Sequence, residues 1–295
     1  MSVGYVPEFF GKFKKQLFST IQFPVPNKYR VPKGMSISDY QNDCLEKIEK
    51  KFVKNNNIAA FVMESGAQVA GGVIVYPKGF QQKINQLCKK YNILFVLDEI
   101  ATGFGRLGSM VQYTEQKSTP DIVAYGKMLT GGYITMAATL TTKKIYDSFL
   151  GEFNDWRHLF HGHTYTGNPL SAAVANENLK MYQKYSLIKK IQKTSKIFER
   201  YYQEISELDI VGDIRHKGML MGIELVSDKK KKSPIHPKKS INKIFFEQGK
   251  KQGIYLRTLG NIVMLVPPLA ISEKELELLI NRTISTIKTA KSQLI

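Results

Sequence analysis

Two ionisable side chains, Asp98 and Lys127, stand where two apolar segments of this sequence end. Residues 93–97 form a short run rich in β-branched and aromatic residues, which is typical of a strand buried on both faces. Residues 122–125 form a second run, followed directly by Gly126 and Lys127. Because ligands of α/β sheets bind beyond the carboxyl ends of the strands, we expect the acid and the lysine to meet at one site.

An acid and a lysine at two strand ends fit the chemistry of pyridoxal phosphate. A lysine amine forms a Schiff base with the aldehyde of this cofactor, and a carboxylate keeps the pyridine nitrogen protonated so that the ring accepts electrons. The alternative is a surface lysine and a solvated acidic turn. With 43 Lys and Arg residues in the chain, that alternative would hold for any lysine taken alone. The surrounding sequence decides between the two.

The surrounding sequence resembles the class III aminotransferases of fold type I. The similarity is carried by LDEIATGFGR at residues 97–106, PDIVAYGKMLTGG at 120–132, FHGHTYTGNP at 160–169 and LRTLGNIVMLVPPL at 256–269. It implies an α/β fold with a mostly parallel sheet and pyridoxal 5′-phosphate as cofactor. The alternation of strands and helices predicts a large domain at residues 1–170 and a smaller α+β domain at residues 171–295. The resemblance implies that the large domain binds the cofactor and is N-terminally incomplete.

Within this class, the string HGHTYTGNP and an alanine at position 101, where many members have glutamine, resemble one branch. That branch converts 8-amino-7-oxononanoate to 7,8-diaminononanoate in biotin biosynthesis. The sequence leaves open whether the amino donor is adenosylmethionine or lysine. Another ω-aminotransferase of the class, acting on ornithine, 4-aminobutyrate or a diamine, stays an alternative, as does a non-catalytic fragment or binding subunit.

Three residues near the two strand ends are expected to hold the cofactor ring. Lys127 would carry the cofactor and move a proton at the substrate carbon, and Asp98 would pair with the ring nitrogen. Ile100 would pack under the ring, although a role in the core suits it equally. Arg106 has two interpretations, a ligand contact or a structural ion pair that steadies the glycine turn, and we prefer the structural one.

Residues in the second half of the chain are expected to complete the site. The Thr164 hydroxyl and the backbone N–H groups of His163 and Thr164 are candidate phosphate donors, and the resemblance implies that they act on the cofactor of a neighbouring subunit in a homodimer. It also implies that Gly162 and Arg257, together with Lys127, bind the substrate, with Arg257 on its carboxylate. His161 and His163 have no third ligand at a suitable spacing, so no metal site is expected.

The start of the sequence departs from the family pattern. Related enzymes carry a substantial N-terminal segment with a Gly-Ser turn that binds the phosphate and an aromatic residue over the ring. The opening MSVG resembles a point inside the large domain, after that segment. The expectation is therefore that residues 1–295 alone bind the cofactor weakly or not at all.

Composition constrains the partners and the compartment. The net charge of +18 would fit a nucleic-acid-binding protein, but the lysines are dispersed and no nucleic-acid-binding motif accompanies them, so we expect a lysine-rich enzyme surface that collects anionic ligands. No signal peptide and no membrane-length apolar run is recognisable. Two cysteines without metal spacing are typical of a cytoplasmic protein.

The elements that position these residues follow from local patterns. A capping box of Ser38 and Gln41 predicts the start of the first long helix, and residues 77–91 predict a helix between two parallel strands. Residues 151–166 predict a long functional loop, and Asn168 predicts the start of the next helix. Residues 212–226 are predicted to hold a glycine-punctuated strand, GMLMGIELV at 218–226, and a capping box of Ser272 and Glu275 predicts the last helix.

Overall fold

The computed structural model describes the backbone of residues 1–295 and the side chains of residues 1–7, 9–236 and 238–295. The strands are β1 (Ala60–Glu64), β2 (Ala67–Gln68), β3 (Ile74–Val75), β4 (Leu94–Asp98), β5 (Ile122–Tyr125), β6 (Ala138–Thr141), β7 (Val211–Lys217), β8 (Leu220–Asp228), β9 (Ser233–Pro234), β10 (Arg257–Leu259) and β11 (Ile262–Leu265).

The helices are α1 (Pro7–Phe10), α2 (Ile37–Lys54), α3 (Phe80–Lys90), α4 (Gln112–Glu115), α5 (Lys143–Asp147), α6 (Pro169–Lys184), α7 (Leu187–Thr194), α8 (Ile197–Arg200), α9 (Tyr202–Glu207), α10 (Ile241–Lys251) and α11 (Glu273–Leu294). Short 3₁₀ helices span Gly11–Gln16, Lys28–Arg30, Lys127–Thr130, Phe153–Asp155 and Pro237–Lys239. None of the helices described is long and apolar enough to cross a membrane.

The first sheet has the strand order β1–β4–β5–β6. Strands β1, β4 and β5 are parallel, and β6 is antiparallel to β5, so the predicted mostly parallel sheet is confirmed. Helix α3 connects β1 to β4 and packs on β4 through a buried face that includes Phe80, Ile84 and Cys88. The parallel arrangement brings the carboxyl ends of three strands to one edge, where the predicted chemistry is located.

The first long helix begins two residues earlier than predicted. The Ser36 hydroxyl accepts the N–H of Asp39 at 3.1 Å, and the Asp39 carboxylate accepts the N–H of Ser36 at 3.2 Å. The predicted box of Ser38 and Gln41 was wrong because Asp39 closes the reciprocal pair two residues earlier and the Gln41 side chain is buried instead.

The second sheet is antiparallel, in the order β10–β11–β8–β7, with β9 paired to β8. The strand predicted in GMLMGIELV is confirmed as β8, and a strand that was not predicted, β7, precedes it, because the chain turns back at Gly218 to form a β7–β8 hairpin. Gly218 has φ +58°, and a Cβ there would lie 2.4 Å from the carbonyl carbon of Leu107. Only glycine permits this turn so close to the backbone of the other half of the chain.

The two sheets share one connected core. Buried side chains of the first sheet, such as Phe95 and Leu97, belong to the same apolar cluster as Ile223 and Val263 of the second. The capping box of Ser272 and Glu275 starts α11 as predicted, with the Ser272 hydroxyl accepting the Glu275 N–H. The domain boundary at residue 170 stays a prediction.

Candidate functional site

Two carboxylates lie side by side at the carboxyl edge of the first sheet. Asp98 is in register with Glu64 on β1 and with Ala124 on β5. Residues level with one another on parallel strands project their side chains to the same face. The Asp98 carboxylate also accepts the N–H of Ile100 at 2.9 Å, which fixes the start of the loop that follows. Ala124 contributes only a methyl group next to Asp98.

Lys127 begins a tight turn just beyond the end of β5. Its backbone has φ +45°, in the left-handed region that non-glycine residues rarely adopt, and its side chain is exposed. Helix α6 holds the turn, because the Asn178 side chain donates to the carbonyls of Met128 and Leu129 at 2.8 and 3.1 Å. Unfavourable backbone conformations maintained by surrounding contacts are typical of functional positions.

Ile100 packs against the residue before Lys127. A Cβ built on Gly126 would lie 3.3 Å from Ile100 Cγ2. The absence of a side chain at Gly126 therefore lets Ile100 lie directly against the backbone that leads into the lysine. Ile100 is half-buried, so part of its side chain stays accessible at this edge.

The charges at this edge change the pKa of Glu64. Burial, and after it the negative charge of Asp98, raises the pKa of the Glu64 carboxyl to about 7. The backbone N–H groups of Val69 and Ala70 and the positive charge of Lys127 oppose this rise. The pKa of Glu64 thus responds to the charges of both Asp98 and Lys127, and these two residues lie at the ends of adjacent parallel strands. Sequence patterns pointed only to Glu64 as the end of a strand.

The other charged residues of the LDEIATGFGR segment are structural. Both oxygens of the fully buried Glu99 carboxylate accept backbone N–H groups, from Gln112 at 2.9 Å and Tyr113 at 2.7 Å, at the start of α4. Arg106 is buried and donates to the carbonyls of Met219 and Pro267 at 2.9 and 2.7 Å. The structural interpretation of Arg106 is therefore supported, although its partners are carbonyl oxygens and not the carboxylate of an ion pair.

The candidate phosphate donors lie in the exposed loop at residues 151–166. The N–H of His163 donates to the Thr166 hydroxyl at 3.0 Å, so the loop already uses one of the two expected backbone donors. Neither the N–H nor the hydroxyl of Thr164 has a hydrogen-bond partner among the residues described. Gly162 is exposed in the same loop, and a Cβ there would make only ordinary contact with Thr166. The geometry leaves Thr164 as the available donor.

The loop carries an exposed aromatic surface, which consists of Phe153, Trp156, Phe160 and Tyr165. Three of these rings pack together, with the Trp156 and Phe160 centroids 5.9 Å apart and those of Phe153 and Trp156 6.3 Å apart. Each of the four side chains is at least two-thirds exposed. An apolar surface of this kind is typical of an interface.

Arg257 lies on the second sheet, at the start of β10 in register with Met264, and its side chain is exposed. The second sheet reaches the loop that follows Glu64, because Arg215 Nε donates to the Gly72 carbonyl at 2.8 Å. A Cβ on Gly72 would lie 2.2 Å from Ile262 Cδ1, which shows how closely β11 packs on this loop. No contact in the described part of the chain joins Arg257 to Asp98 or Lys127.

Two surface cavities lie elsewhere. One of about 240 Å³ is lined in part by Asp209, Ile287 and Lys291, and one of about 390 Å³ by Glu49, Val53 and Tyr91. Neither includes Asp98 or Lys127. Among the described residues there is no group of three His, Cys, Asp or Glu side chains that could hold a metal ion.

The sheet edge fits the ring and the aldehyde of pyridoxal phosphate. Asp98 provides an acceptor for a protonated ring nitrogen, and Lys127 provides an exposed amine without an ion-pair partner in the described residues. Ile100 provides an apolar surface at this edge. It can lie close to the backbone of Gly126 because glycine has no side chain. On the phosphate side, Thr164 is the donor that these residues offer.

Comparisons with known proteins show which family this chain resembles. A profile of the family described as aminotransferase class-III matches residues 5–287. The adenosylmethionine-8-amino-7-oxononanoate aminotransferases of Aquifex aeolicus and Geobacter sulfurreducens are 40% and 38% identical over 100% and 98% of this chain. The crystal structure of the enzyme of that name from Methanocaldococcus jannaschii is 38% identical over 98% of the chain, with a TM-score of 0.85. This chain spans 64% of the length of each of the three.

Proposed function

Because the chain belongs to the class III aminotransferases, we propose that it transfers an amine to the keto group of 8-amino-7-oxononanoate, which forms 7,8-diaminononanoate for biotin biosynthesis. The relatives of 38–40% identity carry this reaction in their names. Pyridoxal 5′-phosphate is the cofactor of this family. The observation that carries the proposal is the convergence of Asp98 and Lys127 at the carboxyl edge of one parallel sheet.

When bound, the cofactor supplies an aldehyde that receives the amine and a ring that accepts electrons. Lys127 holds the cofactor through its amine and, once released, moves a proton to or from the reacting substrate carbon. Asp98 keeps the ring nitrogen protonated through a charge-assisted hydrogen bond. Ile100 supports one face of the ring and excludes water from it.

The remaining proposed contacts bind and orient the cofactor phosphate and the substrate. The Thr164 hydroxyl donates to the cofactor phosphate of a neighbouring subunit, Gly162 lies beside the substrate, and Arg257 binds the substrate carboxylate with its planar guanidinium. The function therefore needs two copies of the chain. The exposed aromatic surface of residues 151–166 supports such a homodimer. Residues 1–170 form the cofactor-binding domain in this proposal, and residues 171–295 form the smaller one.

We assign the protein to the cytoplasm, which agrees with its two free, buried cysteines. Small-molecule substrates are the partners expected besides the second subunit. The positive surface, with a net charge of +18, favours collection of an anionic cofactor and substrate.

The test measures amine transfer by the purified protein. The protein is supplied with pyridoxal 5′-phosphate, 8-amino-7-oxononanoate and either adenosylmethionine or lysine as donor, and 7,8-diaminononanoate is quantified by mass spectrometry. Lys127→Ala is the inactive control. The proposed acceptor would be wrong if the protein transferred amines only from ornithine, 4-aminobutyrate or a diamine to small keto acids and left 8-amino-7-oxononanoate unchanged.

A further inference from the structure

Glu64 is the carboxylate that the proposed reaction does not use. It ends β1, is in register with Asp98 on β4, and belongs to the same face of the sheet. Its side chain is half-buried and points back over the loop that follows, where Glu64 Oε2 accepts the N–H of Val69 at 2.9 Å. In this arrangement the negative charge of Asp98 adds to the burial that favours the protonated form of Glu64.

Each element packed around Glu64 contributes a group to its electrostatics. Asp98 on β4 adds a negative charge, Lys127 after β5 adds a positive charge, and the N–H groups of Val69 and Ala70 stabilise the ionised form. Tyr76, just after β3, is buried near enough that the charge of Glu64 contributes to raising the tyrosine pKa. Burial outweighs the stabilising groups, so the Glu64 pKa rises to about 7.

We propose that Glu64 is a positioning residue that holds a proton beside Asp98 and releases it when a cation binds Asp98. A neutral Glu64 adds no second negative charge beside the Asp98 carboxylate, which a protonated ring nitrogen would meet. A positive charge at Asp98 offsets the repulsion that favours protonation of Glu64, so binding lowers the Glu64 pKa and sets a proton free. This inference rests on the proposed function, because the cation is the ring nitrogen of pyridoxal phosphate or its amine form.

The first experiment examines the ligand-free protein. Carbon-13 labelling of glutamate side chains follows the carboxyl resonances through a pH titration, and Glu64→Gln identifies the Glu64 resonance by its loss. We expect a midpoint near pH 7 for Glu64, against 4.5 for an ordinary glutamate. A midpoint near the ordinary value would overturn the proposal whether or not the protein binds a cofactor. Glu64→Asp serves for the assignment if the glutamine variant does not fold.

The second experiment measures proton release on binding. Pyridoxamine 5′-phosphate is the probe, because it carries the ring nitrogen and makes no covalent bond to Lys127. Calorimetric titration at pH 7 in two buffers of different ionisation enthalpy gives the number of protons released. A carboxyl with a pKa of about 7 is half protonated at this pH, so wild type should release about half a proton more than Glu64→Gln.

Glu99→Gln is the matched control, because Glu99 is also a buried carboxyl with a pKa raised by burial, but its oxygens accept N–H groups of α4. It should release as many protons as wild type. Equal release by wild type and Glu64→Gln would overturn the role of Glu64 while leaving the proposed function intact. Because residues 1–295 alone are expected to bind the cofactor weakly, the titration is extended to high concentrations of pyridoxamine 5′-phosphate. Failure of either protein to bind it even there would contradict the proposed function, and the release step with it.

Discussion

Replacement of Arg106 tests whether this residue joins the two halves of the chain or contacts a ligand. Its Nη1 donates to the carbonyls of Met219 and Pro267, and its own carbonyl accepts the Met219 N–H at 2.8 Å. Arg106→Met removes two charge-assisted hydrogen bonds of about 1.5–3 kcal/mol each. Burial of the guanidinium offsets part of this stabilisation, and it lowers the Arg106 pKa from 12.5 to about 10. At about 1.4 kcal/mol per pKa unit, that offset is roughly 3 kcal/mol.

We therefore expect Arg106→Met to lower the free energy of unfolding by up to about 3 kcal/mol, since two carbonyls lose a donor while a buried charge is removed. Denaturation in urea, followed by fluorescence and circular dichroism, measures the loss. Arg282→Met is the matched control, because Arg282 makes a single exposed hydrogen bond to the Gly253 carbonyl; it should change stability by less than about 0.5 kcal/mol. An Arg106→Met protein that unfolds like wild type but binds substrate poorly would refute the structural assignment.

Three further predictions follow from the site and its surroundings. Asp98→Asn should keep the fold but lower turnover at least about tenfold, since a neutral amide cannot hold the ring nitrogen protonated. Steady-state kinetics and the cofactor dissociation constant measure this effect, and near-normal values would remove Asp98 from the site. Arg257→Ala should raise KM for the carboxylate substrate about tenfold or more with little change in kcat, and an unchanged KM would contradict the assignment. Burial lowers the pKa of His216 from 6.5, so below about pH 6.5 the unfolded chain binds more protons than the folded protein. The free energy of unfolding should therefore fall as the pH drops below 6.5. Unfolding free energies of wild type and His216→Gln between about pH 5 and 8 test this sign.

Local sequence patterns predicted the elements that bring Asp98 and Lys127 together. The short apolar runs place the ends of β4 and β5 within one residue, because β-branched residues favour strands and the following glycines and acids end them. Asn168 caps α6 as expected, with its side chain accepting the N–H groups of Leu170 and Ser171. Each of these features depends on residues close in the sequence.

Features that depend on distant residues could not be predicted from those patterns. The electrostatic environment of Glu64 arises from its register with Asp98, which lies 34 positions later, and from Lys127. The β7–β8 hairpin depends on Gly218 lying against Leu107. The strand in GMLMGIELV was predicted, but β7 and its pairing with β8 were not. A sequence window cannot show this pairing, because the partner that requires the turn lies more than 100 residues away.

The left-handed backbone conformation of Lys127 allows two effects of its replacement to be measured separately. One is the loss of the amine that holds the cofactor, and the other is the change in stability. A residue with a Cβ in the left-handed region is disfavoured by about 1–2 kcal/mol, and glycine avoids this while losing about 0.5–1 kcal/mol of chain entropy. With φ +45° at Lys127, we expect Lys127→Gly to be more stable than Lys127→Ala by up to about 1 kcal/mol. Both variants should fail to retain the cofactor after borohydride reduction, as measured by the mass of the intact protein.

Lys117 provides the control for this comparison. It is exposed, has φ +50°, and lies in the turn after α4, away from the sheet edge. Lys117→Gly should likewise be more stable than Lys117→Ala, but both should retain the reduced cofactor as wild type does. Equal stability of the two Lys127 variants, against a clear difference at Lys117, would show that Lys127 relaxes out of the left-handed region. Retention of the cofactor by Lys127→Gly would instead mean that another lysine holds it, since glycine has no amine to react.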